Sequence, residues 1–361
     1  MKELIVRGAP NKYICKEGIL DNLEAQLLLH KITRVLFVTG EKSWNAASRY
    51  IPEFKEIEGT VERYRGECSI LEISRIAKLA IDLKVEAIIG VGGGKIVDLV
   101  KAASNKSNTK TVIIPTLASN CAPWTPLSVI YTEEGVMTHY EVYTSGIELV
   151  LVEPHLLLDA PIDLFVAGIG DTLAKWYEAD VQISRLEERS VPIEIAYFAA
   201  LQCKDVLLEH SNKALQAVRT RTMNTDFIKV VETIIVYAGM VGGFGDSYGR
   251  IAGAHSIHNG LTVESEMHNK LHGEKVAYGI LVQLVMEDKL VELKSVITFY
   301  KELGLPISLK DLGLLTVTED LVFRIAEKAT LPNESIHVLK EEGIHEKDVS
   351  TAIFKLESMH Y

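Results

Sequence analysis

The run Ala87-Ile88-Ile89-Gly90-Val91-Gly92-Gly93-Gly94-Lys95-Ile96-Val97-Asp98 decides the fold class. Its first five residues are almost wholly apolar, and three consecutive glycines follow Val91. Beyond them Ile96, Val97, Leu99, Val100 and Ala103 recur at helical spacing. A short apolar run bounded by glycine reads as a strand buried on both faces. A glycine turn leading from such a strand into a helix lets the backbone approach a phosphate, and the helix N-terminus favours its charge. The run is not GxGxxG, because Lys95 holds the sixth position. It is not a Walker A loop either, which needs four residues between its first glycine and Gly-Lys-Ser/Thr. A tight turn without a ligand is the plainer alternative.

Outward from this stretch, 35–38, 111–115 and 149–152 read as further buried strands, with helices between them. Ser69 followed by Glu72 predicts a capping box at the start of one helix, whose apolar face is Ile73, Ile76, Ala77 and Ala80. Apolar strands alternating with helices imply a parallel sheet covered on both faces. Beyond Pro161 the periodicity is helical, as over 192–209 and 226–239. The expected architecture is an α/β domain over 1–161 and an all-α domain over 162–361.

The chain has 361 residues, with 38 Lys and Arg against 49 Asp and Glu, a net charge of −11. That sign argues against a nucleic-acid partner, which needs a basic face, and against an anionic membrane. Residues 1–10 mix charged and apolar residues, so no signal peptide is expected. No uncharged apolar run approaches the ~20 residues of a membrane span. Cys15, Cys68, Cys121 and Cys203 are far apart and form no CxxC pair. A reducing, cytoplasmic compartment is the simplest expectation.

Asp171 lies in Gly168-Ile169-Gly170-Asp171-Thr172-Leu173-Ala174-Lys175-Trp176-Tyr177-Glu178-Ala179, read as a loop entering a helix. His255 and His258 share a later helix, and His272 follows in Leu271-His272-Gly273-Glu274-Lys275. One carboxylate and two imidazoles can form a tripod for a divalent ion with a position left open. By spacing alone, surface or core histidines are the commoner reading.

Taken together, these strings resemble the iron-containing alcohol dehydrogenase and glycerol dehydrogenase superfamily along the whole chain. Gly92-Gly93-Gly94-Lys95 with Asp98 is similar to that family's dinucleotide loop, Pro115-Thr116-Leu117-Ala118-Ser119 to its second cofactor segment, and Leu127–Tyr131 to the hairpin continuing it. The resemblance implies a dehydroquinate synthase-like fold: a Rossmann-like N-terminal domain, a helical metal-binding domain, and cofactor and metal in the cleft between. It also implies a homo-oligomer acting on a small-molecule substrate with NAD or NADP. Cofactor contacts are implied at Gly40, Gly92, Gly93, Gly94, Lys95, Asp98, Thr116, Ser119, Thr125, Leu127 and Tyr131. A metal, zinc before iron or another divalent ion, is implied at Asp171, His255 and His272.

Three departures from the family pattern carry more. Iron-type members have a further histidine ligand one helical turn after the aspartate, where this chain has Lys175. Residues four apart share a helix face, so Lys175 is expected to point into the metal pocket; a local ion pair with Asp171 or Glu178 is the alternative. Glycerol dehydrogenases carry an aspartate where Cys121 stands, and losing it removes a polyol contact and a negative charge. Both changes favour an anionic substrate, a 2-oxo acid or 2-hydroxy acid, as in the hydroxycarboxylate dehydrogenase A branch. NAD-preferring members carry an aspartate at the turn held here by Thr39-Gly40. Its absence admits NADPH, with Lys42 and Ser43 as the expected phosphate contacts; Glu41, adjacent to them, argues the other way. His258 is expected as a proton relay or substrate contact, with a helix-packing histidine as the alternative, and Trp124 as a wall of the substrate pocket, with a core tryptophan equally open. A small polyol is the competing substrate; a lyase like dehydroquinate synthase and a non-catalytic binding protein are the competing classes.

Overall fold

The computed structural model describes residues 4–359. The chain divides into one unit of Arg7–Pro161 with Ala217–Met223, and a second built on Ile162–Gln216 and the chain from Asn224 onward. In the first unit the strands are β1 (Tyr13–Cys15), β2 (Arg34–Thr39), β3 (Glu58–Arg63), β4 (Ala87–Gly92), β5 (Lys110–Pro115), β6 (Leu127–Tyr131), β7 (Met137–Val142) and β8 (Leu149–Val152). Its helices are α1 (Leu23–Leu29), α2 (Glu41–Ala47), α3 (Ile70–Asp82), α4 (Gly94–Ser107) and α5 (Pro154–Leu158). The second unit holds α6 (Ile162–Ile183), most of α7 (Val191–Thr220), α8 (Thr225–Glu232), α9 (Ala238–Gly245), α10 (Gly253–Leu261), α11 (His272–Met286), α12 (Leu290–Leu303), α13 (Glu319–Ala329) and α14 (Glu346–Glu357).

The expected α/β and all-α parts are both present. Six strands form one parallel sheet in the order β1-β8-β5-β4-β2-β3. The two-residue period of a strand divides their apolar side chains between the faces. Val35, Phe37, Ile89, Val91, Val112, Ile114, Leu149 and Leu151 join Leu23, Leu27 and Ala47 of α1 and α2 in one core cluster. Leu36, Ile88, Ile113 and Val150 alternate with them and are also fully buried. Strands covered on both faces cannot show polar alternation, which is why they read as unbroken apolar runs.

Edge strands β1 and β3 escape that reading. Glu58-Gly59-Thr60-Val61-Glu62-Arg63 is largely exposed and has no apolar run, yet it pairs along its length with β2. The capping box forms only in half. Ser69 Oγ accepts from Glu72 N at 3.3 Å, but the Glu72 carboxylate turns to Arg75 and to the backbone N–H of Arg65. Thr225–Tyr248 is long and apolar enough to cross a membrane by length and composition, which the sequence reading had not expected. It is 61% buried over its most apolar stretch, with Val230, Val231, Ile234, Ile235 and Val241 in the core.

A buried ion pair fastens the segment after β5 to α4. The Lys101 ammonium lies 2.8 Å from Asp98 Oδ1. It donates to the carbonyls of Ala122 at 2.9 Å, Thr125 at 3.1 Å, and Leu127. Asp98 Oδ2 accepts from Val129 N at 3.2 Å, and Ser128 Oγ donates to the Asp98 carbonyl at 2.7 Å. Burial raises the Asp98 carboxyl's pKa, with Lys101 opposing. Replacing Lys101 by methionine strands a buried carboxylate and three carbonyls. The expected loss is about 3–5 kcal/mol, read as a thermal midpoint lowered by several degrees; a midpoint within about 2 °C of the native one shows that the pair does not hold the segment.

Candidate functional site

The metal-ligand types converge in the helical unit because three helices approach unusually closely. A Cβ on Gly273 would lie 1.8 Å from the Ala167 carbonyl oxygen, and one on Gly279 would lie 2.3 Å from that of Ala254. Only glycine permits such backbone contact, so α11 presses against both α6 and α10. Asp171 sits within α6 and not in a loop leading into it, a correction to the sequence reading. The glycine before it serves helix packing: a Cβ on Gly170 would lie 2.8 Å from the Gly273 carbonyl oxygen.

This packing brings Asp171, His255 and His272 together, with one ligand atom of each within 4.8 Å of the others. Asp171 Oδ1 lies 3.2 Å from His272 Nε2 and 3.5 Å from His255 Nε2. Two ligands bonded at 2.0–2.1 Å to one tetrahedral ion stand about 3.3 Å apart, so the donor set fits a zinc-sized ion. Asp171 is buried and His272 half exposed.

Glu178, two turns beyond Asp171 on α6, fixes the second row. Its Oε1 accepts from the backbone N–H groups of Ala252 at 2.7 Å and His255 at 2.9 Å. Its Oε2 lies 2.7 Å from His255 Nδ1. A proton on Nδ1 leaves Nε2 to ligate, the arrangement that orients metal-binding histidines. Burial disfavours a charge on His255, but Glu178 and Asp171 outweigh it and raise the imidazole to about 9. Burial opposes ionisation of Asp171 too; Lys175 and the two imidazoles outweigh it and hold the carboxyl well below its usual range. Lys175 is buried one turn from Asp171, and its charge also helps keep Glu178 ionised.

His258 adjoins this cluster with both nitrogens engaged. Its Nε2 lies 3.0 Å from His272 Nδ1 and its Nδ1 lies 3.1 Å from Asn259 Oδ1. Asn259 Nδ2 in turn donates to Glu334 at 3.1 Å. One tautomer satisfies the whole chain of bonds: His272 Nδ1–H donates to His258, and His258 Nδ1–H donates to Asn259. Burial, then His272 and Lys275, holds His258 well below its usual pKa. This geometry sets His258 directly behind the His272 ring.

The expected cofactor residues lie in the α/β unit. A Cβ on Gly92 would meet Ile96 Cδ1 at 2.4 Å, one on Gly93 Leu117 Cδ1 at 2.7 Å, and one on Gly94 Asn120 Nδ2 at 2.8 Å. The glycines therefore have a packing role before any ligand. Gly93 also gives α4 no side-chain cap, leaving first-turn N–H groups for an anion. Lys95 lies 2.5 Å from Glu67 Oε1 and over the Tyr131 ring, so its charge is already matched. Thr116 is buried and donates its N–H to the Gly92 carbonyl at 3.1 Å, with Ser119 half-buried just beyond. Asp98, Thr125 and Leu127 belong to the Lys101 cluster. Gly40 ends β2, and its carbonyl accepts from Arg63. Cys121 is half-buried. Trp124, expected to wall a pocket, is 8% exposed, donates Nε1–H to the Gly8 carbonyl at 2.8 Å and packs edge-on against Tyr13; both its polar and apolar parts are committed to the core. Glu178, Lys101, Glu67 and Arg63 were not singled out from sequence for these roles. For Glu178 a signal existed, the seven-residue spacing from Asp171 that repeats one helix face.

A family model described as iron-containing alcohol dehydrogenase matches residues 10–154. Over 334 residues the chain is 36% identical to hydroxycarboxylate dehydrogenase A of Escherichia coli strain K12, covering 91% of each. It is 33% identical over 353 residues to a glycerol dehydrogenase of Thermotoga maritima, covering 95% of this chain and 94% of that one. The crystal structure of a probable glycerol dehydrogenase from Sinorhizobium meliloti 1021 is similar with a TM-score of 0.86 at 33% identity, covering 98% of both chains.

If Glu178 orients His255, Glu178→Gln weakens divalent-ion binding by about 10–100-fold while the helical content stays native. Zinc titration against a competing chelator measures this; an unchanged dissociation constant refutes the orienting role.

Proposed function

The chain belongs to the iron-containing alcohol dehydrogenase family and is an oxidoreductase acting on alcohol groups, and from that premise we propose that it interconverts a small 2-oxo acid and the matching 2-hydroxy acid. The reduction consumes NAD(P)H and a proton and yields NAD(P)+ and the hydroxy acid. We assign the divalent ion to Asp171, His255 and His272, and the dinucleotide to the sheet edge carrying Gly40 and Gly92–Gly94. When bound, the ion supplies Lewis-acid polarisation of the reacting oxygen and the nicotinamide gives or takes the hydride.

The chain's own residues then have distinct tasks. Glu178 holds His255 with Nε2 directed to the ligand cluster, and His258 holds His272 in the same way. Lys175 supplies a buried positive charge beside Asp171. The observation that carries the carboxylate reading is the buried Lys175 beside Asp171, a cation where iron-type members hold a neutral ligand. A partly buried positive charge favours an anion over a neutral polyol. Cys121 in place of a polyol-binding carboxylate supports the same direction, as does the similarity to hydroxycarboxylate dehydrogenase A. Similarity to glycerol dehydrogenases favours a second reading, oxidation of a small polyol. A homo-oligomer in a reducing compartment completes the proposal.

Steady-state rates with short 2-oxo acids, dihydroxyacetone and glycerol separate the two substrates. The proposal expects kcat/KM for a 2-oxo acid to exceed that for dihydroxyacetone, and Lys175→Ala to lower it by roughly 10–100-fold while sparing dihydroxyacetone. An equal fall for both removes the carboxylate role of Lys175, and a preference for glycerol and dihydroxyacetone installs the polyol reading.

A further inference from the structure

The strand order places three carboxyl ends side by side. β2 lies between β3 and β4. The chain passes from β2 outward to β3, then returns across β2 to β4, so the direction of winding reverses there. In open α/β sheets, ligands bind outside the strand ends at such a reversal. The register aligns Thr39 with Arg63 on one side and with Val91 on the other. Arg63 and the glycine turn after β4 therefore flank the Thr39-Gly40 turn from opposite sides.

From this juxtaposition we propose that Arg63 binds the phosphate on the adenosine ribose of NADP(H) and sets the choice between NADP(H) and NAD(H). The inference rests on assigning the dinucleotide to this sheet edge. It adds a contact to Lys42 and Ser43, the phosphate contacts expected from sequence.

The guanidinium is exposed and already positioned. Arg63 Nη1 donates to the Gly40 carbonyl at 2.8 Å, and the group lies 5.6 Å from the centre of the Trp44 ring. One tether and one aromatic shelf leave most of its five N–H donors available, in a planar array that matches phosphate. Among the described residues no carboxylate pairs with it. Arg75, by contrast, is held by Glu62 at 2.5 Å and Glu72 at 2.7 Å, and Lys95 by Glu67. Arg63 thus brings an exposed positive charge without a carboxylate partner to the β3 side of this edge. At the β2 end Gly40 itself provides no carboxylate to repel a phosphate, and the acidic residue there, Glu41, stands one position on in the first turn of α2. A Cβ on Gly40 would come within 3.1 Å of Tyr64 Cε1, so the turn is also tight.

Calorimetric titration of the metal-loaded protein with NADP+ and with NAD+ tests the assignment. Arg63→Gln is expected to weaken NADP+ binding by roughly 10–100-fold and to leave NAD+ binding unchanged. Arg63→Lys, which keeps the charge without the planar array, is expected to fall between, and it serves if the glutamine variant does not fold. Arg65→Gln is expected to preserve the preference. Equal weakening of both dinucleotides by Arg63→Gln, undiminished NADP+ binding, or loss of the preference in Arg65→Gln instead overturns the role of Arg63 while leaving the dinucleotide edge in place. A native protein that binds NAD+ but not NADP+ also overturns it. Native protein that binds neither overturns the dinucleotide assignment, and the inference with it.

Discussion

The contact between the backbones of α6 and α11 is the constraint on which the ligand cluster depends. Helices packed through ordinary side chains stand 8–10 Å apart, and that spacing would part Asp171 from His272. Gly273 removes the side chain at the crossing, and Gly279 does the same where α11 meets α10. A carboxylate and two imidazoles carried by three helices then come within 4.8 Å of one another. Loss of this approach would disperse the ligands without altering any of them.

Both units bury charge, and each resolves it differently. In the α/β unit Lys101 and Asp98 neutralise one another, and the surplus ammonium donors satisfy backbone carbonyls. That pair is complete as it stands, which suits a structural fastening. In the helical unit Glu178 and Asp171 draw the His255 imidazole up, and His255 and Lys175 hold the two carboxyls down. There three donor atoms, from Asp171, His255 and His272, stand within 4.8 Å of one another. The difference between a fastening and a candidate site lies in that convergent donor set.

The parallel sheet's inner strands were legible because burial on both faces leaves an unbroken apolar run, as at 87–91. β3 was not legible, because an edge strand needs no such run and Glu58 to Arg63 spends its length near solvent. With it went Arg63, whose position beside Gly40 comes from strand register. The ligand trio was legible only through its resemblance to a family; spacing alone left it among eleven histidines. Asp171 was misplaced into a loop because Gly168 and Gly170 look like turn residues, whereas both lie within α6 and Gly170 serves a helix crossing. Trp124 shows the same limit, since nothing local tells a pocket wall from a core indole that donates to a distant carbonyl.

The sequence by itself determined the two classes of secondary structure, the glycine turn after β4, the family, and the residue types offered to a metal. These depend on local periodicity and on motifs, which adjacent residues carry. Tertiary structure decided which of those residues meet. Glu178 behind His255, His258 behind His272, the carbonyls held by Lys101 and the pairing of Lys95 with Glu67 join residues 14 to 77 positions apart. Partners chosen at such separations follow from how helices cross and strands align, and no window of the sequence contains that geometry.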